Sequence, residues 1–162
     1  MSSNVAEVLV AGAVSSGAVA GMAAARGGAE GHSRWEPINA ISHIVWGPLT
    51  ATRTEFTWRH TGLGLLLNGV ACGFWAVVYQ AGRRSFEEPD SIRALAGASL
   101  AVSAIAYVTD YYMVPSRFTP GFELALTRRS FPWLYGALAA GLFVSGLMPR
   151  GRLAGTNPRR HP

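Results

Sequence analysis

Asn39, His43, Arg59, His60, Asp110, Arg117 and Glu123 are the residues of this chain whose types could do chemistry. Two imidazoles near a carboxylate or an amide could ligate a metal or haem, and two carboxylates could relay protons or act as general acid and base. Spacing gives the first idea little help, because there is no H-E-x-x-H, no C-x-x-C and no pair of histidines within one apolar run. No cofactor is therefore expected. A metal or haem at His43 and His60 is the alternative, and both histidines are read first as interfacial residues bonding loop carbonyls. An ionisable group at membrane depth is a functional candidate by default, but Asp110 stands one turn from the end of its apolar run, where pairing is cheap. Its expected partners are Arg59, His60 or Arg117. No serine shares an apolar run with a histidine, and no G-x-S-x-G turn or phosphate loop occurs.

The elements that must position these residues are apolar. Of 162 residues, 49% are hydrophobic and only 14% charged, with 19 glycines, a balance that suits a bilayer better than water. Four runs approach the roughly 20 residues needed to cross about 30 Å of hydrocarbon as helix. They are Val5–Ala25, Thr61–Ala81, Ala94–Val114 and Phe131–Pro149. The expected fold is all-α, a single integral membrane domain over residues 1–149 built as a four-helix bundle, with a disordered basic tail over 150–162. The first run lacks a positive n-region and carries Glu7, so it is read as a retained span, with cleavage as the alternative. Glu7 should be solvated at the end that carries the termini.

Small residues recur at helix-packing steps: Gly17 and Gly21, Gly69 and Gly73, Gly97 with Ala101, and Gly136, Gly141 and Gly146 in the last run. In lipid, helices gain nothing by hiding leucine from leucine, so close backbone approach through small residues must hold the bundle. Asn68, Cys72, Trp75 and Tyr79 share one helical face, as do Ser99, Ser103, Tyr107 and Asp110. Antiparallel pairing of the second and third spans would put Asn68 at the depth of Tyr107 and Cys72 at that of Ser103.

Between the first two spans lies a long connection. Gly27, Gly28 and Gly31 should loosen its start, and residues 37–47 read as a short interfacial or re-entrant helix with Pro37 at its beginning and Gly47-Pro48 at its stop. Trp35, Trp46 and Trp58 should sit at headgroup level. Alternating spans then bring this connection, the end of the third span and the strip 115–130 to one face. All seven residues named at the outset meet there. Pro115 ends the third span, Arg117 can fold back to Asp110, and Phe118 and Phe122 are expected in the interface.

The strings "PINAISHIVWG", "RHTGLG", "FWAVVY" and "DYYMVPSRFTPGFE" together resemble a family of small, uncharacterised bacterial inner-membrane proteins with four predicted spans. The likeness covers roughly Ala11–Pro149 and rests on Asn39, Ser42, His43, Trp46, Gly47, Arg59, His60, Thr61, Asp110, Pro115, Arg117, Thr119, Pro120, Gly121, Phe122 and Glu123. It implies the membrane topology and no activity, cofactor or partner.

The function expected is that of a non-catalytic membrane component, a scaffold or accessory subunit of a larger assembly or a homo-oligomer. One alternative is a metal or haem enzyme or a proton or ion carrier using Asp110, His43, His60 and Glu123. Another is a lipid- or quinone-binding protein with a head group near Asn39 and Arg117. The fourteen basic residues, all arginine, form no single stripe with interleaved aromatics, so nucleic acid is not an expected partner. They divide evenly between the two ends of the bundle, which leaves the positive-inside rule without a decision. The arginine-rich tail favours cytoplasmic termini.

Overall fold

The computed structural model describes residues 3–148, and among them there is no strand. Six α-helices follow in order: α1 (Ser3–Ala29), α2 (Glu36–Ile41), α3 (His43–Trp46), α4 (Leu63–Arg83), α5 (Ile92–Val108) and α6 (Phe131–Leu147). A wide π-type turn, Trp58–Gly62, leads into α4, and another, Thr109–Met113, continues α5. With these turns four helical stretches are long and apolar enough to cross a membrane: Asn4–Ala29, Trp58–Arg83, Ile92–Met113 and Arg128–Leu147. The chain is an all-α bundle of multi-pass type. Pro149 and the 150–162 tail, expected to be disordered, lie outside the described residues.

The four long helices form a square in which each packs against the two that run antiparallel to it, and α1 stands diagonally from α5. The inner faces mix small residues with large ones such as Trp75, Tyr79, Leu95, Leu134 and Leu142, while many other large apolar side chains face outward. Leu66, Val70, Phe74 and Leu100 are 63, 65, 59 and 64% exposed, while Ala11, Ser15, Asn68, Ala76, Ala98, Ser99 and Ala106 are buried. In water this would be an inverted protein; in lipid the large side chains lose nothing by facing outward, and the small ones let backbones close up.

The close approaches follow that pattern at Gly73, Gly141 and Gly146 but not at Gly17, Gly21 or Gly97. Gly17 and Gly21 are exposed with open space where a side chain would be, and Gly97 meets only the Phe86 ring at 3.7 Å. Within the bundle the tight crossings include Gly12 against the Gly73 backbone and Gly141 against Ser15, whose Cα would lie 2.6 Å from an added methyl. Gly69 sits beside Ser16 Oγ. A small residue at the right step is necessary for close packing, but the turn of the helix decides which small residues face a neighbour.

The polar stripes also bond to other helices than expected. Asn68 Nδ2 donates to Ser16 O at 3.0 Å and to Ser16 Oγ at 2.8 Å, joining α4 to α1. Ser103 Oγ donates to Tyr135 O, joining α5 to α6. In a square every inner face looks at two neighbours, so a stripe on α4 or α5 does not identify the other as its partner.

At the connections, Ser91 Oγ accepts from Ala94 N at 3.2 Å and caps α5, as Ser at this position should. Val114 is extended before Pro115 and ends the third span. α1 runs through Gly27 and Gly28, and Gly27 lets the Pro37 ring press against the helix, whereas Gly31, at φ +82°, does turn the chain just after it. The 37–47 helix proves to be two pieces broken at Ser42: Pro37 to Ile41 are all buried, as a re-entrant piece would be, while Val45 and Trp46 are exposed. Gly64 explains the depth, since any side chain there would overlap the Ile38 carbonyl oxygen. α2 therefore plugs one end of the bundle.

Candidate functional site

Asn39 is the centre of that plug and is fully buried. Its amide Nδ2 donates to the carbonyls of Arg53 and Glu55, at 2.8 and 3.0 Å, and Oδ1 accepts from Thr61 Oγ1 at 2.6 Å. Thr61 Oγ1 in turn accepts from Thr57 N, and Thr57 Oγ1 accepts from His60 N, so one amide fixes the whole 53–61 segment. Every hydrogen bond is to a group that would otherwise be orphaned in an apolar surrounding, where an unpaired polar atom is costly. Asn39 thus spends its amide on the chain itself and presents no polar atom at the surface.

The two histidines are separated in role. His43 is buried, its Nδ1 3.0 Å from Ala40 O and its Nε2 without a hydrogen-bond partner. The His60 ring is half-buried with Nδ1 3.5 Å from Ser42 Oγ. Each Nδ1 engages a different local oxygen. Among the described residues no group of three or more His, Cys, Asp or Glu converges to hold a metal. Arg59 is used at the surface, where its guanidinium lies 4.4 Å from the Trp46 ring centroid and its carbonyl accepts from the Trp46 indole at 3.3 Å. Trp58 stands 81% exposed in the expected belt, edge-on to Phe56, which in turn meets Trp35 edge-on.

The strip after the third span turns inward rather than along the interface. Gly121 has φ +86°, and an added methyl would lie 2.6 Å from Ala40 O and 2.7 Å from His43 Nδ1. Only glycine permits both the turn and the contact with α2. That turn drives Phe122 into the core, 5% exposed, contrary to the interfacial place expected for it, whereas Phe118 does remain outside at 58%. Glu123 is carried in as well and accepts from Thr119 Oγ1, with its Oε2 buried.

Asp110 does not pair with Arg59, His60 or Arg117. Its Oδ2 accepts from the Tyr135 hydroxyl of α6 at 2.7 Å, and Arg117 is exposed. The wide turn at 109–113 is the local reason: it rotates Asp110 toward α6 and away from the loop that holds Arg117. Tyr135 belongs to an aromatic cluster with Tyr107, 5.3 Å between centroids, and Tyr111, which stacks on Phe131 at 4.7 Å. The Tyr111 hydroxyl is buried beside the Glu123 carboxylate and the Tyr135 hydroxyl and within electrostatic reach of Asp110. Asp110 and Tyr135 line a cavity of about 50 Å³ together with Asn68, Cys72, Trp75 and Phe122. Such a space accepts a water molecule or a small ion. Its chemistry is that of a carboxylate and phenols in a confined, weakly solvated interior.

Two polar clusters escaped the sequence reading. At one end Glu30, just past α1, accepts from Thr127 N at 2.8 Å, from Thr127 Oγ1 at 3.0 Å and from Ser130 Oγ, while Arg26 Nε donates to Ser130 Oγ at 2.8 Å. Burial alone would raise the Glu30 pKa, but the bonds from Ser130, Thr127 and Arg26 outweigh it and hold it at about 2. A carboxylate at the N-terminal turn of α6 also meets the helix dipole favourably. At the other end Arg83 is buried, with Glu7 Oε2 at 2.8 Å, Asp90 Oδ1 at 3.0 Å and Gln80 as a third partner. Glu7 is thus ion-paired across helices, not simply solvated. Tyr135 left one signal in the sequence, as the lone phenol of α6; the links of Glu30 to Thr127 and Ser130 and of Arg83 to Glu7 left none, because those partners are remote in the chain.

Compared with profiles of known protein families, with characterised proteins and with solved structures, the chain matches none.

Proposed function

We propose that this chain is a non-catalytic component of the bacterial inner membrane, with cytoplasmic termini, whose α1 packs against a helix of another subunit or of a second copy. It would stand with the four-span bacterial inner-membrane proteins that its motifs resemble. The observation that carries the reading is the outer face of α1. Gly17 and Gly21 stand four residues apart with open space before them, while the close approaches inside the bundle use other residues. Small residues on an outward face allow a further helix to approach backbone to backbone. The test replaces both glycines with leucine in the full chain. Size and co-purifying protein are then followed in mild detergent, alongside thermal unfolding. The reading expects an oligomer or complex that dissociates in the variant while the unfolding temperature holds. A monomer without partners before and after substitution defeats it.

A second reading is favoured by Asp110 lining the internal cavity beside Tyr135: a proton or ion carrier. Flux in proteoliposomes that disappears in Asp110→Asn supports it, and equal flux in the two proteins removes it. A visible spectrum and elemental analysis of the purified chain decide separately whether haem or metal accompanies either reading.

A further inference from the structure

A groove of about 540 Å³ opens beside the last turns of α1, lined by Ala24, Ala25 and Gly28 on the helix and by His32, Ser33, Arg34 and Trp35 on the segment that follows. The crossing made by α1 ends at Ala29, so the groove sits at the boundary between hydrocarbon and headgroups. Its helical wall is made of the smallest side chains, and nothing lies within 4 Å of where a Gly28 side chain would project.

The rim is built, not loose. Gly31, at φ +82°, reverses the chain after α1. Ser33 Oγ then accepts from Trp35 N at 3.3 Å, and Ser33 N donates to Glu36 Oε1 at 3.3 Å. His32 Nδ1 lies 2.9 Å from Glu36 Oε2, so the acidic group nearest the groove is already engaged on both oxygens. Trp35 is braced edge-on by Phe56 at 5.2 Å. That leaves Arg34, exposed on the rim, as the cation offered to a ligand.

We propose that this groove is a binding site for one anionic glycerophospholipid, its phosphate on the Arg34 guanidinium and its glycerol region against Ala24, Ala25 and Gly28. Depth, charge and shape each favour this occupant. A guanidinium matches a phosphate with two parallel hydrogen bonds, the indole of Trp35 suits the same headgroup level, and the small-residue wall admits the glycerol backbone that a leucine would exclude. An anionic headgroup is preferred over a zwitterionic one because the lining residues include the Arg34 cation and no carboxylate, and the neighbouring Glu36 already holds His32 and Ser33. The groove continues the face of α1 that carries Gly17 and Gly21, so the lipid would lie beside whatever packs there.

The test uses the full chain in nanodiscs of phosphatidylcholine with and without phosphatidylglycerol, followed by native mass spectrometry of lipid retained on the protein. One phosphatidylglycerol per chain should survive, and Arg34→Gln should cut its retention by about tenfold. Gly28→Leu should lower it similarly without changing charge, and Arg117→Gln on the same end should not. Unfolding temperature in phosphatidylcholine alone should be the same in all four proteins, which separates lost binding from lost folding. Equal retention of the two lipids, full retention in Arg34→Gln, or displacement of the lipid by millimolar inorganic phosphate would each overturn the proposal. Because the readout is bound lipid, it is scored separately from the oligomer experiment.

Discussion

Asp110 sits in the last turn of a helix, where its own carbonyl ends repel it, and relies on the Tyr135 hydroxyl 2.7 Å away. Tyr135→Phe keeps the ring and its stacking partners but leaves the carboxylate short of a donor. It should cost about 1–3 kcal/mol, the range for stranding a buried polar partner, measured by unfolding in mixed micelles. Arg117→Ala should change stability by less than about 0.5 kcal/mol, as at an ordinary surface position. If the two costs came out reversed, the carboxylate would have the arginine partner that chain proximity suggested. The need for a donor is readable from an aspartate at a helix end; which donor answers it is not, because Tyr135 lies 25 residues further along and on another helix.

The short helix α2 shows how an element can be legible in outline while its depth is decided elsewhere in the chain. Pro37 and the Gly47-Pro48 stop mark its extent, and a run too short to span the bilayer suggests an interfacial or re-entrant place. What buries it is a partner feature invisible in α2 itself, the bare backbone of Gly64 on α4, together with the Asn39 bonds to Arg53, Glu55 and Thr61. Gly64→Ala should therefore expel α2 while the four long helices persist. The expected signature is faster proteolysis within 53–57 and little loss of helical circular dichroism. Unchanged cleavage would mean that α2 docks without the close approach. Gly17 and Gly21 give the opposite case, since their four-residue step is visible in the sequence yet their face looks out of the bundle.

For the whole molecule, acid sensitivity should trace to the clasp between the end of α1 and the start of α6. The Glu30 pKa is depressed from its ordinary 4.5 to about 2, so the clasp contributes fully above about pH 4.5 and loses strength as pH falls toward 2. Glu30→Gln should flatten this part of the stability profile, measured by unfolding between neutral and acidic pH; an unchanged slope would place the acid sensitivity elsewhere. The sequence by itself determined that the chain is helical, that four stretches can cross a bilayer, and that Asn39, Asp110 and Glu123 gather toward one end. Those conclusions need only segment length, apolar content and alternation of direction. Which helices touch, which glycines lie inward, where α2 and Phe122 go, and who partners Asp110, Glu7 and Glu30 were decided only by the tertiary structure. The physical reason is that the long helices are apolar on every side, so hydrophobicity selects no inner face. That choice falls to backbone approach and to polar bonds between residues far apart in the chain.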